Sequence, residues 1–204
     1  MMENLYASRY RSDRYYWGRE PSKTARLVPE HMPPEGGPSL LDIGCGEGRN
    51  AVFFAGCGYR VTAFDAASEG VEKTLRLADE AGVSVEAITG DINSYRIEED
   101  FDVVFGTGVL QYIPPEEREG LLAHYRRHTS AGGLNVFSIL VEKPFIDRAP
   151  DTESTAFPWF SGEILAHYRN WRIEHFTETI FDCDSGGVPH RHAVNRMVAR
   201  KMQY

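Results

Sequence analysis

Between residues 39 and 141 short apolar runs alternate with longer segments in which apolar residues return every third or fourth position. The runs have the length of β-strands and the segments the period of amphipathic α-helices. Strands are predicted at 40–43, 59–64, 84–89, 101–106 and 134–141, and helices at 50–56, 68–81 and 114–128. Ser68 opens its helix and Gly82 lies just past the end, while Pro114-Pro115-Glu116-Glu117 places prolines and acids where a first turn tolerates them. Strands joined by helices of this length pair in parallel through right-handed crossovers, so the pattern predicts an α/β fold with a doubly wound, mostly parallel sheet.

Both ends break the rhythm. Residues 6–18 are rich in Tyr and Arg without periodicity and close on Tyr15-Tyr16-Trp17, and residues 21–31 form a short helix stopped by Pro33-Pro34. After a proline-bearing loop at 143–158, a helix capped by Ser161 is predicted at 161–168. Two strands follow, at 171–182 and 190–201, joined by Asp184-Ser185-Gly186-Gly187. So short and glycine-rich a link makes a hairpin, and these last strands are expected to be antiparallel. At 204 residues one domain is expected, with 1–37 an arm and helix forming a lid and 38–204 the catalytic α/β core.

Composition narrows the partners. A net charge of −8 does not furnish the basic surface that general nucleic-acid binding needs, and a small-molecule substrate fits better. The three cysteines lack CxxC spacing, which gives neither a disulfide framework nor a structural zinc site and fits a reducing cytoplasm. No membrane span or leader pattern is present in the sequence. A monomer or homodimer without membrane or nucleic-acid partners is expected.

The candidate chemistry centres on Leu40-Leu41-Asp42-Ile43-Gly44-Cys45-Gly46-Glu47-Gly48-Arg49-Asn50, a strand, a turn with three alternating glycines, and a helix start. Glycine lets the backbone turn sharply and lets a ligand approach the main chain at a helix N-terminus. The spacing is G-x-G-x-G, unlike the G-x-G-x-x-G of dinucleotide enzymes. Asp65, about 20 residues on, stands where a carboxylate accepts from ribose hydroxyls. Asp91-Ile92 follows the third strand, where an acid and an apolar residue frame an adenine. Thr107 leaves the fourth strand beside the reacting centre.

Those residues resemble the cofactor half of class I S-adenosylmethionine-dependent methyltransferases. The resemblance implies a seven-stranded sheet with an antiparallel last strand. It implies that Asp42 supports the turn, that the loop from Gly44 through Gly46 to Gly48 passes the methionine moiety, that Asp65 holds the ribose and that Asp91 with Ile92 frames the adenine; Cys45, Arg49, Asn50, Ala66 and Thr107 are expected among the cofactor-binding residues with them. A nearer resemblance, to tellurite-resistance and thiopurine-methyltransferase-like enzymes, rests on Gly48-Arg49-Asn50, residues 107–113, Phe157-Pro158-Trp159-Phe160 and the ending Met197 to Lys201. It implies transfer from S-adenosyl-L-methionine to a small, soft nucleophile, leaving S-adenosyl-L-homocysteine. The tellurite enzymes carry a His-Arg pair between their last two strands; this sequence has Phe181-Asp182 there and His190-Arg191-His192 further on.

Tyr15 and Trp17 are expected to cover the cofactor. His190, His192, Arg191 and Tyr16 are the catalytic candidates, with both histidines on one strand face and Arg191 on the other. Cys183 with that histidine pair lacks a metal-ligand spacing, and no metal is expected. Oxygen, nitrogen or carboxylate methylation with a histidine base is the alternative reaction. A module that holds the cofactor without turnover is the alternative outside enzymes.

Overall fold

The computed structural model describes residues 5–147, 156–184 and 187–203. Seven strands form one sheet: β1 (Ser39–Ile43), β2 (Arg60–Asp65), β3 (Val85–Thr89), β4 (Phe101–Thr107), β5 (Thr129–Val141), β6 (Arg172–Cys183) and β7 (His190–Arg200). Their order is β3-β2-β1-β4-β5-β7-β6. β1 to β5 pair in parallel, and β7 is antiparallel to both β5 and β6. The predicted seven-stranded, mostly parallel sheet with an antiparallel last strand is therefore present, with β7 inserted between β5 and β6.

Five α-helices accompany the strands among the described residues: α1 (Leu5–Tyr10), α2 (Leu27–His31), α3 (Arg49–Cys57), α4 (Ser68–Ala81) and α5 (Arg118–Arg127). Alternation along the central strands divides the core into two layers. Leu40, Val103, Phe105 and Val136 pack on one face with Ala51 and Phe54 of α3 and Ala78 of α4. Leu41, Ile43, Val104 and Phe137 pack on the other with Leu121, Leu122 and Tyr125 of α5. Burial on both faces explains why the central strands read as unbroken apolar runs.

The local differences from the sequence pattern have physical causes. β5 begins at Thr129, not at residue 134, because Thr129 pairs with Phe101 and the register then shifts across Gly132-Gly133, where Gly132 has φ 79°. The glycine pair is thus a bulge within the strand instead of a link before it. Segment 21–31 is helical only over α2; before it, Ser22 Oγ accepts from the Ala25 amide (3.1 Å) while its own amide is drawn to Asn50 Oδ1 (2.8 Å). The predicted helix at 161–168 is a 3-10 turn over Glu163–Tyr168, and Ser161 does not cap it. Ser161 Oγ accepts from Lys143, and Glu163 Oε2 takes the Phe160 amide at 2.9 Å. The aperiodic terminus contains α1, whose Tyr6 and Tyr10 rings meet at 5.6 Å.

Candidate active site

The strand order reverses between β1 and β4, which places a crevice beyond their carboxyl ends. A cleft of about 1580 Å³ opens there. It exceeds the ordinary small-molecule pocket of roughly 300–1000 Å³, which gives room for two ligands end to end.

One end of the cleft is the loop between β1 and α3. Gly44, Gly46 and Gly48 have φ 66°, 57° and 89°, in the left-handed region that side chains avoid. A Cβ on Gly44 would lie 2.5 Å from Val109 Cγ2, and one on Gly48 would lie 2.7 Å from the Thr74 Cα of α4. The turn is therefore packed as tightly as it is bent. Asp65, at the end of β2, braces it by accepting from the Gly46 amide through Oδ2 and from the Ala67 amide through Oδ1, both at 2.9 Å. Burial raises the Asp65 pKa above the ordinary carboxylate value, and those two amides oppose the rise.

Asp42 lies beneath the loop, outside the lining of the cleft and 1% exposed. Its Oδ2 has no hydrogen-bond partner among the described residues. Burial first, then the Asp65 charge, push its pKa from 3.8 to about 8, against the pull of Arg49 and the Ala51 amide. A carboxyl that keeps its proton in the folded state and loses it in the unfolded chain destabilises the fold as pH rises between those two values. Asp42→Asn is expected to flatten that decline, read as a smaller loss of urea midpoint between pH 4 and about 8. An unchanged slope would show that Asp42 ionises normally.

Arg49 at the start of α3 donates to the Trp17 carbonyl at 2.8 Å and lies 5.9 Å from the Trp17 ring centroid. Asp42 and Glu47 act on it electrostatically. Glu47, 2% exposed, pairs with Lys73 of α4 at 2.6 Å and accepts from the Trp17 amide at 3.2 Å. Lys73 Nζ also donates to the Arg14 carbonyl at 2.8 Å. The arm is thus strapped to the glycine loop through its own backbone. Trp17 Nε1 donates to the Tyr10 hydroxyl at 3.1 Å, and Tyr6, Tyr10, Trp17 and Tyr112 form an aromatic wall along the cleft.

Gly44, Cys45, Gly46, Arg49, Asn50, Asp65, Ala66, Asp91, Ile92, Thr107 and Trp17 line the cleft. Asp91 Oδ1 accepts from the Asn93 amide at 2.8 Å, so this carboxylate also shapes its own turn. Tyr15 and Tyr16 lie outside the lining. Lys73 sits 5.2 Å from the Tyr15 ring centroid, and Tyr16 stands edge-on to Trp17.

The far end of the cleft is the face of the β6–β7 hairpin carrying Thr179, Phe181, Cys183, His192, Val194 and Arg196. His192 is among the cleft residues, whereas His190 stands beyond it with Nε2 2.8 Å from His192 Nε2. Arg191 is exposed and also outside the lining, since strand alternation turns it away from its two neighbours. Arg196 was not singled out in the sequence; its period-two spacing from His192 is the signal that would have found it. Its Nη1 donates to Thr179 Oγ1 at 2.6 Å. Glu47, Lys73, Tyr6 and Tyr10 were missed as well, whereas Tyr112 ends the 107–112 stretch expected beside the reacting centre. Lys73 left a trace, because it stands in the stripe of α4 shared with Gly70 and Leu77.

The positive-φ glycine cradle and the two strand-end carboxylates, Asp65 and Asp91, fit a nucleoside-bearing cofactor. No helix among the described residues is long and apolar enough to cross a membrane. The chain resembles a probable S-adenosyl-L-methionine-dependent methyltransferase, TehB, of Haemophilus influenzae. The two are 25% identical over 165 residues, covering 79% of this chain and 57% of the relative. The chain therefore spans little more than half the length of that relative. The crystal structure of TehB from Haemophilus influenzae superposes with TM-score 0.77 at 21% identity, covering 98% of this chain and 66% of that one. A Burkholderia thailandensis 1,6-didemethyltoxoflavin-N1-methyltransferase with bound 1,6-didemethyltoxoflavin and S-adenosylhomocysteine superposes with TM-score 0.71 at 20% identity, covering 97% and 86%. The family model for tellurite resistance protein TehB matches residues 13–190, and with the methyltransferase fold established, the chain belongs to the TehB family.

Proposed function

We propose that the chain is an S-adenosyl-L-methionine-dependent methyltransferase that acts on a small, soft nucleophile such as a thiol or a chalcogen oxyanion. The observation that carries this reading is the continuity of one cleft from the glycine loop to the β6–β7 face. S-adenosyl-L-methionine supplies an activated sulfonium methyl group when bound. Asp65 would hold the ribose, Asp91 and Ile92 the adenine, and the 44–50 loop the methionine moiety. Tyr6, Tyr10, Trp17 and Tyr112 would exclude water and face the cationic sulfur with their rings. Because the methyl group is already activated, alignment of the acceptor is the main task left to the protein. Arg196 supplies a cation at the acceptor end for an anionic substrate. The arm over residues 1–37 would act as a lid, which its attachment to Glu47 and Arg49 supports.

Release of S-adenosylhomocysteine is expected with at least one acceptor among sulfide, thiols, selenite, tellurite and thiopurines. No release with any of them would sink the soft-nucleophile reading. His192 favours a second reading, methylation of oxygen or nitrogen, because its position in the cleft and its contact with His190 would let it accept a proton and pass it outward. In that case release with a hydroxyl or amine acceptor depends on pH, and His192→Ala removes the dependence.

A further inference from the structure

We propose that Cys183, His190 and His192 form a divalent metal site for a cation of the zinc class at the acceptor end of the cleft. Sequence spacing gave no reason to expect it, since Cys183 is separated from the histidines by a turn. Strand register supplies the convergence: Cys183 lies directly opposite His190, and His192 is two residues further along β7, opposite Phe181. Residues two apart on a strand share a face, so all three side chains project to the same side of the hairpin. Their donor atoms lie within 4.8 Å of one another, and each residue is half-buried.

The chemistry of the set is selective. One thiolate and two imidazoles suit zinc and its neighbours, whereas magnesium and calcium require oxygen ligands. His190 also has the outer contact that orients a metal-bound imidazole: its Nδ1 stands 2.7 Å from the Val188 carbonyl. A proton on Nδ1 donated to that carbonyl leaves Nε2 as the ligating atom. Nε2 faces His192 Nε2 at 2.8 Å. Two imidazole nitrogens on one zinc ion, bound at about 2.0–2.1 Å in a tetrahedron, stand roughly 3.3 Å apart. Metal entry therefore requires a movement of about half an ångström between the rings.

Three protein ligands leave the fourth tetrahedral position for an exogenous group, the pattern of catalytic rather than structural zinc. Cys183 and His192 both line the cleft, so that position faces the acceptor end. A thiol acceptor bound there would be held as its thiolate, the proton leaving to solvent. This last step rests on the methyl-transfer reading; metal uptake does not.

The test is titration of the metal-free full chain with Co²⁺, without donor or acceptor. One equivalent is expected to bind, with the thiolate-to-cobalt charge-transfer absorption and intense visible bands of a four-coordinate site, and one equivalent of Zn²⁺ should bleach them. Cys183→Ser should remove the charge-transfer absorption, and His192→Ala should weaken Zn²⁺ binding by more than about 100-fold, beyond what loss of an outer partner gives. Thermal unfolding of each variant reports whether it folds. Absence of saturable one-to-one uptake by the parent chain, or the same thiolate band in folded Cys183→Ser, would overturn the proposal. Metal uptake without S-adenosylhomocysteine release in the acceptor assay would uphold the site while removing the role given to its fourth position.

Discussion

Lys73→Met is expected to cost roughly 3–5 kcal/mol of folding stability, the range for breaking a buried ion pair from one side. The side chains of Lys73 and Glu47 are 7% and 1% exposed, so the substitution leaves a carboxylate with neither its cation nor water. It also removes the donor to the Arg14 carbonyl, which frees the arm at one of its fastenings. The distinguishing measurement is a double-mutant cycle in urea. Glu47→Gln combined with Lys73→Met should recover much of the loss, because no buried charge then remains. If Lys73→Met alone costs less than about 1 kcal/mol, in the range of an exposed pair, Glu47 must reach solvent and the strap is weaker than its geometry indicates.

Gly48→Ala is expected to destabilise the chain by roughly 2–5 kcal/mol and to abolish stabilisation by added S-adenosylhomocysteine. Two costs meet at this position. Its φ of 89° lies outside the conformations an alanine adopts readily, and the added Cβ would come within 2.7 Å of the Thr74 Cα. That neighbour is backbone, so α3 and α4 must move apart, which distorts the loop that ends at Gly48. Gly56 is the control: it lies within α3 with nothing within 4 Å of an added Cβ, and alanine there should be neutral or stabilising by up to about 1 kcal/mol. Thermal shifts with and without ligand separate the two effects. A Gly48→Ala chain as stable as Gly56→Ala would refute the assignment of strain to the turn.

The parallel half of the fold was legible because its signals are local. An apolar run buried on both faces, a glycine turn and a strand-end carboxylate each sit within about ten residues of sequence. The same holds for the hairpin, whose turn residues announced antiparallel pairing. What escaped was set by contacts distant in sequence. The Glu47–Lys73 pair joins the glycine loop to α4, and nothing near either residue marks the other. The early start of β5 depends on Phe101, and the loss of the Ser161 cap depends on Lys143. The acceptor end shows the same division: alternation on β7 gave the shared face of His190 and His192, while the approach of Cys183 required the β6–β7 register.

The fastening of the arm has a consequence for how this family can diversify. The core grips residues 14 to 22 through the Arg14 and Trp17 carbonyls and the Trp17 and Ser22 amides, groups that residues other than proline share. Four core side chains, Glu47, Arg49, Asn50 and Lys73, therefore form a socket indifferent to most of the arm's sequence. Arms from relatives could be transplanted onto this core with their attachment intact, so that the rim facing an incoming molecule becomes an exchangeable part while the loop beneath it stays constant.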